Sequence, residues 1–85
     1  MERLRGDILR YVYSMRRKYN VGSVSLTRLC YKMQKHVKWI GGAVDTLSDI
    51  GYLDKLKDGM GQVTYSISDL GVKYVENSEM VNLRN

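Results

Sequence analysis

The first segment of the chain has hydrophobic residues at intervals of 4, 4, 3 and 4 positions: Leu4, Ile8, Val12, Met15 and Tyr19. This spacing predicts one buried stripe of an amphipathic helix. Residues 20–23 carry the turn chemistry that ends such a helix. Val24 comes directly after the turn and is available for a strand of one or two residues.

Two more stretches of helical periodicity follow, and the phase of the pattern breaks between them at residues 34–36. Ser25 is a good N-cap for the first stretch, whose apolar positions are Leu26, Leu29, Cys30 and Met33. The second runs over residues 36–50 and ends at Gly51, with a predicted buried face of Val37, Ile40, Ala43, Val44, Leu47 and Ile50. Two short helices joined by a tight turn form a helix-turn-helix.

A β-hairpin is predicted next, because residues 52–57 and 62–67 flank a loop that opens with Asp58-Gly59. In the second strand, alternate residues should face the core: Val63, Tyr65 and Ile67. Leu53 and Leu56 do not share parity, so either the first strand has a bulge or Leu56 packs elsewhere.

A last helix is predicted after Ser68, which is placed to cap it. The residues available to its buried side are Leu70, Val72, Tyr74 and Val75. The positions from 77 onward read as a polar tail. We therefore predict one domain over residues 1–77 and a C-terminal tail over 78–85.

Charge is distributed unevenly along the 85 residues, whose net charge is +5. Residues 1–40 hold ten basic and two acidic side chains, and residues 41–85 hold four basic and seven acidic ones. One half of the chain thus carries +8 and the other −3. This asymmetry indicates a polyanionic partner on one side of the molecule, and the alternative is a solvated basic face without a partner.

Several classes of protein are disfavoured by what the sequence contains. One Cys and one His form neither an internal disulfide nor a zinc site of four protein ligands, and Cys30 is expected as a small core residue. The longest uncharged apolar run, residues 39–44, is too short for a membrane span. No secretory signal, catalytic set or nucleotide-binding glycine loop is present. We expect a cytoplasmic protein that is not an enzyme, holds no cofactor or metal and binds no membrane.

The order of elements resembles the winged helix-turn-helix class: three helices, a two-stranded wing and a C-terminal helix, mainly α within an α+β fold. In that class the recognition helix often carries an apolar residue, two spacers, a small residue, an apolar residue, two spacers and Leu. A short run then leads to Gly, an aromatic residue or Leu, and an aliphatic residue. Here residues 40–47 read IGGAVDTL and residues 51–53 read GYL. Residues 65–71, YSISDLG, resemble the exit from the wing. The similarity is to the MarR- or PadR-like class of small bacterial and archaeal regulators, and the Lys- and Tyr-rich, Phe-free composition favours an archaeal or archaeal-virus source.

The resemblance implies that helix 36–50 reads the major groove of double-stranded DNA with its N-terminal half. The predicted contacts on and just before it are Lys35, His36, Lys38, Trp39, Gly42 and Thr46. His36 either contacts a phosphate or is a plain surface residue. Trp39 either contacts a thymine methyl or sugar or is half-buried against the second helix. Asp45 and Asp49 repel phosphate and exclude the second half of the helix from the groove.

The second helix and the wing add further predicted contacts. Over the DNA backbone we expect Ser25, Arg28, Tyr31 and Lys32, and a role of Ser25 as an N-cap is compatible with this contact. In the wing the predicted contacts are Lys55 and Lys57, with Gln62 and Thr64 beside them. The neighbouring Asp54 and Asp58 weaken the expectation for the wing.

Gly41 and Gly42 stand inside the predicted recognition helix, where each glycine costs about 1 kcal/mol relative to alanine. By phase Gly41 borders the buried stripe, so we expect close packing there and a clash in Gly41→Ala. Gly42 lies on the outer face, and we expect it to let DNA approach the helix backbone.

Two functions are compatible with these features. The first is a sequence-specific double-stranded DNA-binding protein, a transcriptional regulator acting as a homodimer. Apolar residues off the main stripes are expected at the dimer interface: Leu9, Tyr11, Tyr13, Met80, Val81 and Leu83. The second is a winged-helix module that binds protein or RNA within a larger assembly, since one fold serves both uses.

Overall fold

A computed structural model describes the backbone of residues 1–84 and the side chains of residues 1–78. Within this range, four helices and three short strands follow one another in the predicted order. Their bounds are α1 Arg3–Tyr19, β1 Val24–Ser25, α2 Leu26–Met33, α3 Val37–Asp49, β2 Leu53–Lys57, β3 Val63–Ile67 and α4 Asp69–Arg84. No helix among the described residues is both long and apolar enough to cross a bilayer.

The helix ends follow from local side-chain chemistry. Ser25 Oγ accepts a hydrogen bond from the Arg28 amide at 3.1 Å and caps α2, as predicted. Asn20 and Gln34 adopt the left-handed conformation that ends α1 and α2. The phase break at residues 34–36 is therefore produced by Gln34, although no glycine or proline stands there.

One hydrophobic core joins the helices to the sheet. Its buried members come from every helix and from all three strands: Ile8, Leu9, Val12, Val24, Leu29, Ile40, Ala43, Val44, Leu47, Leu53, Tyr65, Ile67 and Val75. Helix α1 contacts α3, β3 and α4, so its buried face is wider than a single stripe. Burial raises the pKa of the Tyr65 hydroxyl.

Several residues predicted as buried are exposed instead, and all lie at helix ends. Tyr19 is the last residue of α1, Val37 the first of α3, and Ile50 follows α3. Leu70 stands in the first turn of α4. At its ends, each helix extends beyond the elements that cover its apolar face. Leu9, expected at a dimer interface, is completely buried in the core.

The sheet is antiparallel in the order β1-β3-β2. The hairpin pairs Leu53 with Ile67 and Lys57 with Val63 in continuous register, so β2 has no bulge. Leu56 accordingly lies on the outer side of the strand, partly exposed. Strand β1 adds the short predicted segment, pairing Val24 with Tyr65.

Ser68 connects the hairpin to α4. Its Oγ accepts from the Gly71 amide at 3.0 Å, and its own amide donates to the Tyr52 carbonyl at 3.1 Å. Helix α4 continues through position 77 to Arg84, where a polar tail was expected. The domain boundary at 77 stays a prediction, and the side chains of Met80, Val81 and Leu83 lie outside the described residues.

Candidate nucleic-acid interface

The exposed face of α3 is basic at its beginning and acidic at its end. Lys38, Gly42, Asp45 and Asp49 are exposed, and their spacing of 4, 3 and 4 residues places them on one side of the helix. This side lies opposite the buried Ile40, Ala43, Val44 and Leu47. The arrangement agrees with the prediction that only the N-terminal half suits a polyanion.

His36 has a role that neither sequence alternative included. It is the N-cap of α3, and its Nδ1 accepts a hydrogen bond from the Lys38 amide at 3.1 Å. The imidazole therefore fixes the start of the helix and retains Nε2 for an outside partner. The available signal was its position directly before the periodic residues of α3.

Trp39 and Thr46 lie at the edge of this face. Trp39 is 66% exposed, so the alternative of a residue half-buried against the second helix is wrong. Thr46 Oγ1 donates to the Gly42 carbonyl at 3.0 Å, which occupies its hydrogen atom. Trp39 is thus free to contact a ligand, and Thr46 can offer its methyl group or accept a hydrogen bond.

The cations of α2 adjoin the segment before α3, because Lys32 and Lys35 line one surface cleft. Arg28, Tyr31 and Lys32 are exposed and line a cleft of about 460 Å³ with Tyr11, Met15 and Tyr19. Tyr11 organises the two cations, since Arg28 Nε donates to its hydroxyl at 3.2 Å and Lys32 Nζ lies 5.7 Å from its ring centre. The bond to Tyr11 raises the pKa of Arg28, a group that is charged in any case.

Within the described side chains, these cations have no counterion at ion-pair distance. Among the side chains of residues 1–78, the ion pairs involve Arg3, Arg5 and Arg10, all on α1. None of the four basic residues on and around the two helices of the motif is paired: Arg28, Lys32, Lys35 and Lys38. No described ion pair therefore competes with an external anion for these four side chains. In the same range, no group of three or more His, Cys, Asp or Glu residues is arranged to hold a metal.

Two residues expected at a dimer interface are used inside the protomer. Tyr11 contacts Arg28, and the Tyr13 hydroxyl donates to Glu76 Oε2 at 2.9 Å. Both rings also pack against the core. Cys30 is partly buried at the core edge, as expected for a small core residue.

The wing presents exposed lysines and one apolar tip. Lys55 and Lys57 are exposed on β2. At the tip, Asp58 Oδ1 accepts from the amides of Met60 and Gln62, both at 2.9 Å. This loop leaves Met60 95% exposed, a feature that no sequence pattern indicates.

The glycine pair of α3 differs in part from its prediction. A Cβ added to either glycine meets nothing within 4 Å, so the expected close packing at Gly41, and the clash in Gly41→Ala, are wrong. The packing of helix α3 against its neighbours therefore does not require a glycine at either position.

Both Gly41→Ala and Gly42→Ala should therefore raise the free energy of unfolding by up to about 1 kcal/mol. Thermal unfolding followed by circular dichroism checks this. If Gly42 admits DNA to the helix backbone, only Gly42→Ala should also weaken duplex binding, and Gly41→Ala is the matched control. Equal duplex affinities for the two variants would remove Gly42 from the interface.

Comparison with known proteins identifies the fold. No family model and no curated protein sequence matches the chain. The Staphylococcus aureus transcription regulator MepR is similar in structure, with a TM-score of 0.83, 14% identity and coverage of 95% of this chain and 57% of that one. The MepR–DNA complex matches with a TM-score of 0.86 and 13% identity, covering 99% of this chain and 66% of that one. The transcriptional regulator BldR from Sulfolobus solfataricus matches with a TM-score of 0.77 and 21% identity, covering 100% of this chain and 59% of that one.

The fold is a winged helix-turn-helix. The resemblance stated from the sequence is confirmed at this level, with α2 and α3 as the helix-turn-helix and β2–β3 as the wing. These neighbours are described as transcription regulators. The chain spans 57% to 66% of the length of these solved chains.

Proposed function

We propose that this winged helix is a sequence-specific double-stranded DNA-binding protein, a transcriptional regulator whose α3 reads the major groove. The observation that carries the proposal is that Lys35, Lys38, Arg28 and Lys32, on or beside α2 and α3, are all exposed and form no ion pair with the described side chains. Cations at the start of α3 can reach guanine edges and phosphates, and those on α2 suit the backbone beside the groove. The MepR–DNA complex supports this because its protein shares the fold.

We further propose a cytoplasmic homodimer. One recognition helix contacts only a short stretch of base pairs, and a two-fold pair of helices doubles the specific contacts. Leu9 is buried in the core, so it does not contribute to the dimer interface. Met80, Val81 and Leu83 stay predicted interface residues, and their side chains lie outside the described residues. The remaining predicted contacts, Ser25, Tyr31, Lys55 and Lys57 among them, stay proposals for the DNA backbone.

The acidic half of α3 provides a sharp test. Asp45 lies on the same face as Lys38, so in the proposed complex its carboxylate approaches phosphate. Asp45→Asn should tighten duplex binding by about threefold to tenfold at low salt, because it removes this repulsion. Fluorescence anisotropy with a labelled duplex measures the change.

Asp69→Asn makes the same change of charge at an exposed position on α4 and is the control. It should leave duplex affinity close to that of the wild type. Equal effects of the two substitutions would mean that only net charge matters and that α3 does not face the DNA. Tighter binding to a matched RNA hairpin or to a protein partner than to any duplex would favour the alternative function.

A further inference from the structure

The first turn of α1 lies beside the proposed recognition face, a juxtaposition that local sequence patterns do not show. Glu2, Leu4 and Arg5 line a surface cleft of about 340 Å³ together with Lys38, Trp39, Gly42, Ala43 and Thr46. Glu2 and Leu4 also line a second cleft, of about 270 Å³, with Lys35 and Trp39. The acidic N-cap residue of α1 and a basic residue of its first turn are thus placed next to the cations at the start of α3.

These two side chains are paired with each other in the free protein. Arg5 Nε lies 3.3 Å from Glu2 Oε2, and the side chains are 38% and 54% exposed. Arg3 differs, because its side chain is 95% exposed and its Nε lies 4.0 Å from an oxygen of Asp7. Arg5 is therefore the α1 arginine that is held at the edge of the recognition face.

Glu2 is not needed to cap its helix. It occupies the N-cap position of α1, but its side chain makes no capping hydrogen bond there. The described contact of the carboxylate is the ion pair with Arg5. An ion pair exposed to this extent is weak, and a DNA phosphate offers a guanidinium a stronger, bidentate partner.

We infer that Arg5 is a further DNA contact and that Glu2 is its internal competitor. In the free protein Glu2 holds Arg5, and on binding a backbone phosphate next to the groove entered by α3 takes the place of the Glu2 carboxylate. Glu2 then weakens every complex by occupying Arg5 and by bringing a negative charge close to the phosphate. This inference rests on the proposed function, because it needs α3 to face DNA.

A double-mutant cycle on the full chain tests the inference, with Glu2→Gln, Arg5→Ala, the double variant and Arg3→Ala as the matched control. Affinity for a duplex that the wild type binds is measured by fluorescence anisotropy over a salt series, and circular dichroism checks that each variant is folded. Glu2→Gln should tighten binding by about threefold or more. Arg5→Ala should weaken it by about tenfold and reduce the salt slope by about one unit.

The signature of competition is non-additivity. Glu2→Gln should change duplex affinity clearly less in the Arg5→Ala background than in the wild type. Arg3→Ala should leave the salt slope unchanged. The same effect of Glu2→Gln in both backgrounds, or the same slope for Arg5→Ala and Arg3→Ala, would overturn the inference and leave the DNA-binding function standing. A wild-type protein that binds no duplex would overturn the proposed function itself.

Discussion

Gly71→Ala should lower the free energy of unfolding by about 2–3 kcal/mol, the range of a substitution that forces atoms into a packed site. A Cβ at this position would overlap the carbonyl oxygen of Tyr52 and lie 2.8 Å from Ile67 Cγ1. Neither neighbour can move freely. The Tyr52 carbonyl accepts the Ser68 amide, and the Ile67 side chain is fully buried between the sheet and the helices.

Chemical unfolding followed by circular dichroism measures this effect. Gly22→Ala is the matched control, because a Cβ there meets nothing within 4 Å and its backbone is not left-handed. We expect Gly22→Ala to have a stability within about 0.5 kcal/mol of the wild type. If Gly71→Ala were equally stable, the close approach of α4 to the segment between α3 and the wing would be wrong.

Duplex affinity should depend steeply on salt. If four to six phosphates are neutralised per protomer, log K falls against log[salt] with a slope of about −4 to −5. Between 50 and 200 mM salt the affinity then drops by several hundredfold. The cause is that protein cations displace the counterions condensed on the DNA phosphates. Four cations without an ion pair in the described part of the chain are available for this: Arg28, Lys32, Lys35 and Lys38.

Single substitutions locate this effect on the surface. Arg28→Ala or Lys35→Ala should each reduce the magnitude of the slope by about one unit. Lys73→Ala removes an exposed charge from α4 and should leave the slope unchanged. A duplex affinity that is independent of salt would contradict the DNA-binding function and favour a protein partner.

The elements of this fold were predictable because their signals are local. Hydrophobic spacing marks the helices, Ser25 and Ser68 mark helix starts, and the Asp58-Gly59 loop marks the hairpin. The predictions that proved wrong concern positions whose burial is decided by tertiary packing. Val37 was assigned to the buried stripe by its phase, but the first turn of α3 begins before the core covers it. Leu9 lies off the stripe and is buried because α1 is packed on more than one side.

The candidate site was predictable in its residue types and less so in its contacts. Lys35 and Lys38 are identified by the charge pattern and by their position on a helix-turn-helix. The partnership of Tyr11 with Arg28 joins residues that are 17 positions apart, and the clefts that join Glu2 to Trp39 link still more distant segments. Such juxtapositions depend on how α1 crosses the motif, and no spacing along the chain encodes that crossing.

Selection of bound duplexes from a random pool tests the central claim most directly, carried out in parallel with the wild type and with Lys38→Ala. We predict that the wild type enriches an inverted repeat whose half-sites lie about one helical turn, or a simple multiple of it, apart. Lys38→Ala should relax the base preference at one position of each half-site, because one base-edge contact is lost. A wild-type pool that shows no enrichment over the starting library would contradict sequence-specific reading of DNA by α3.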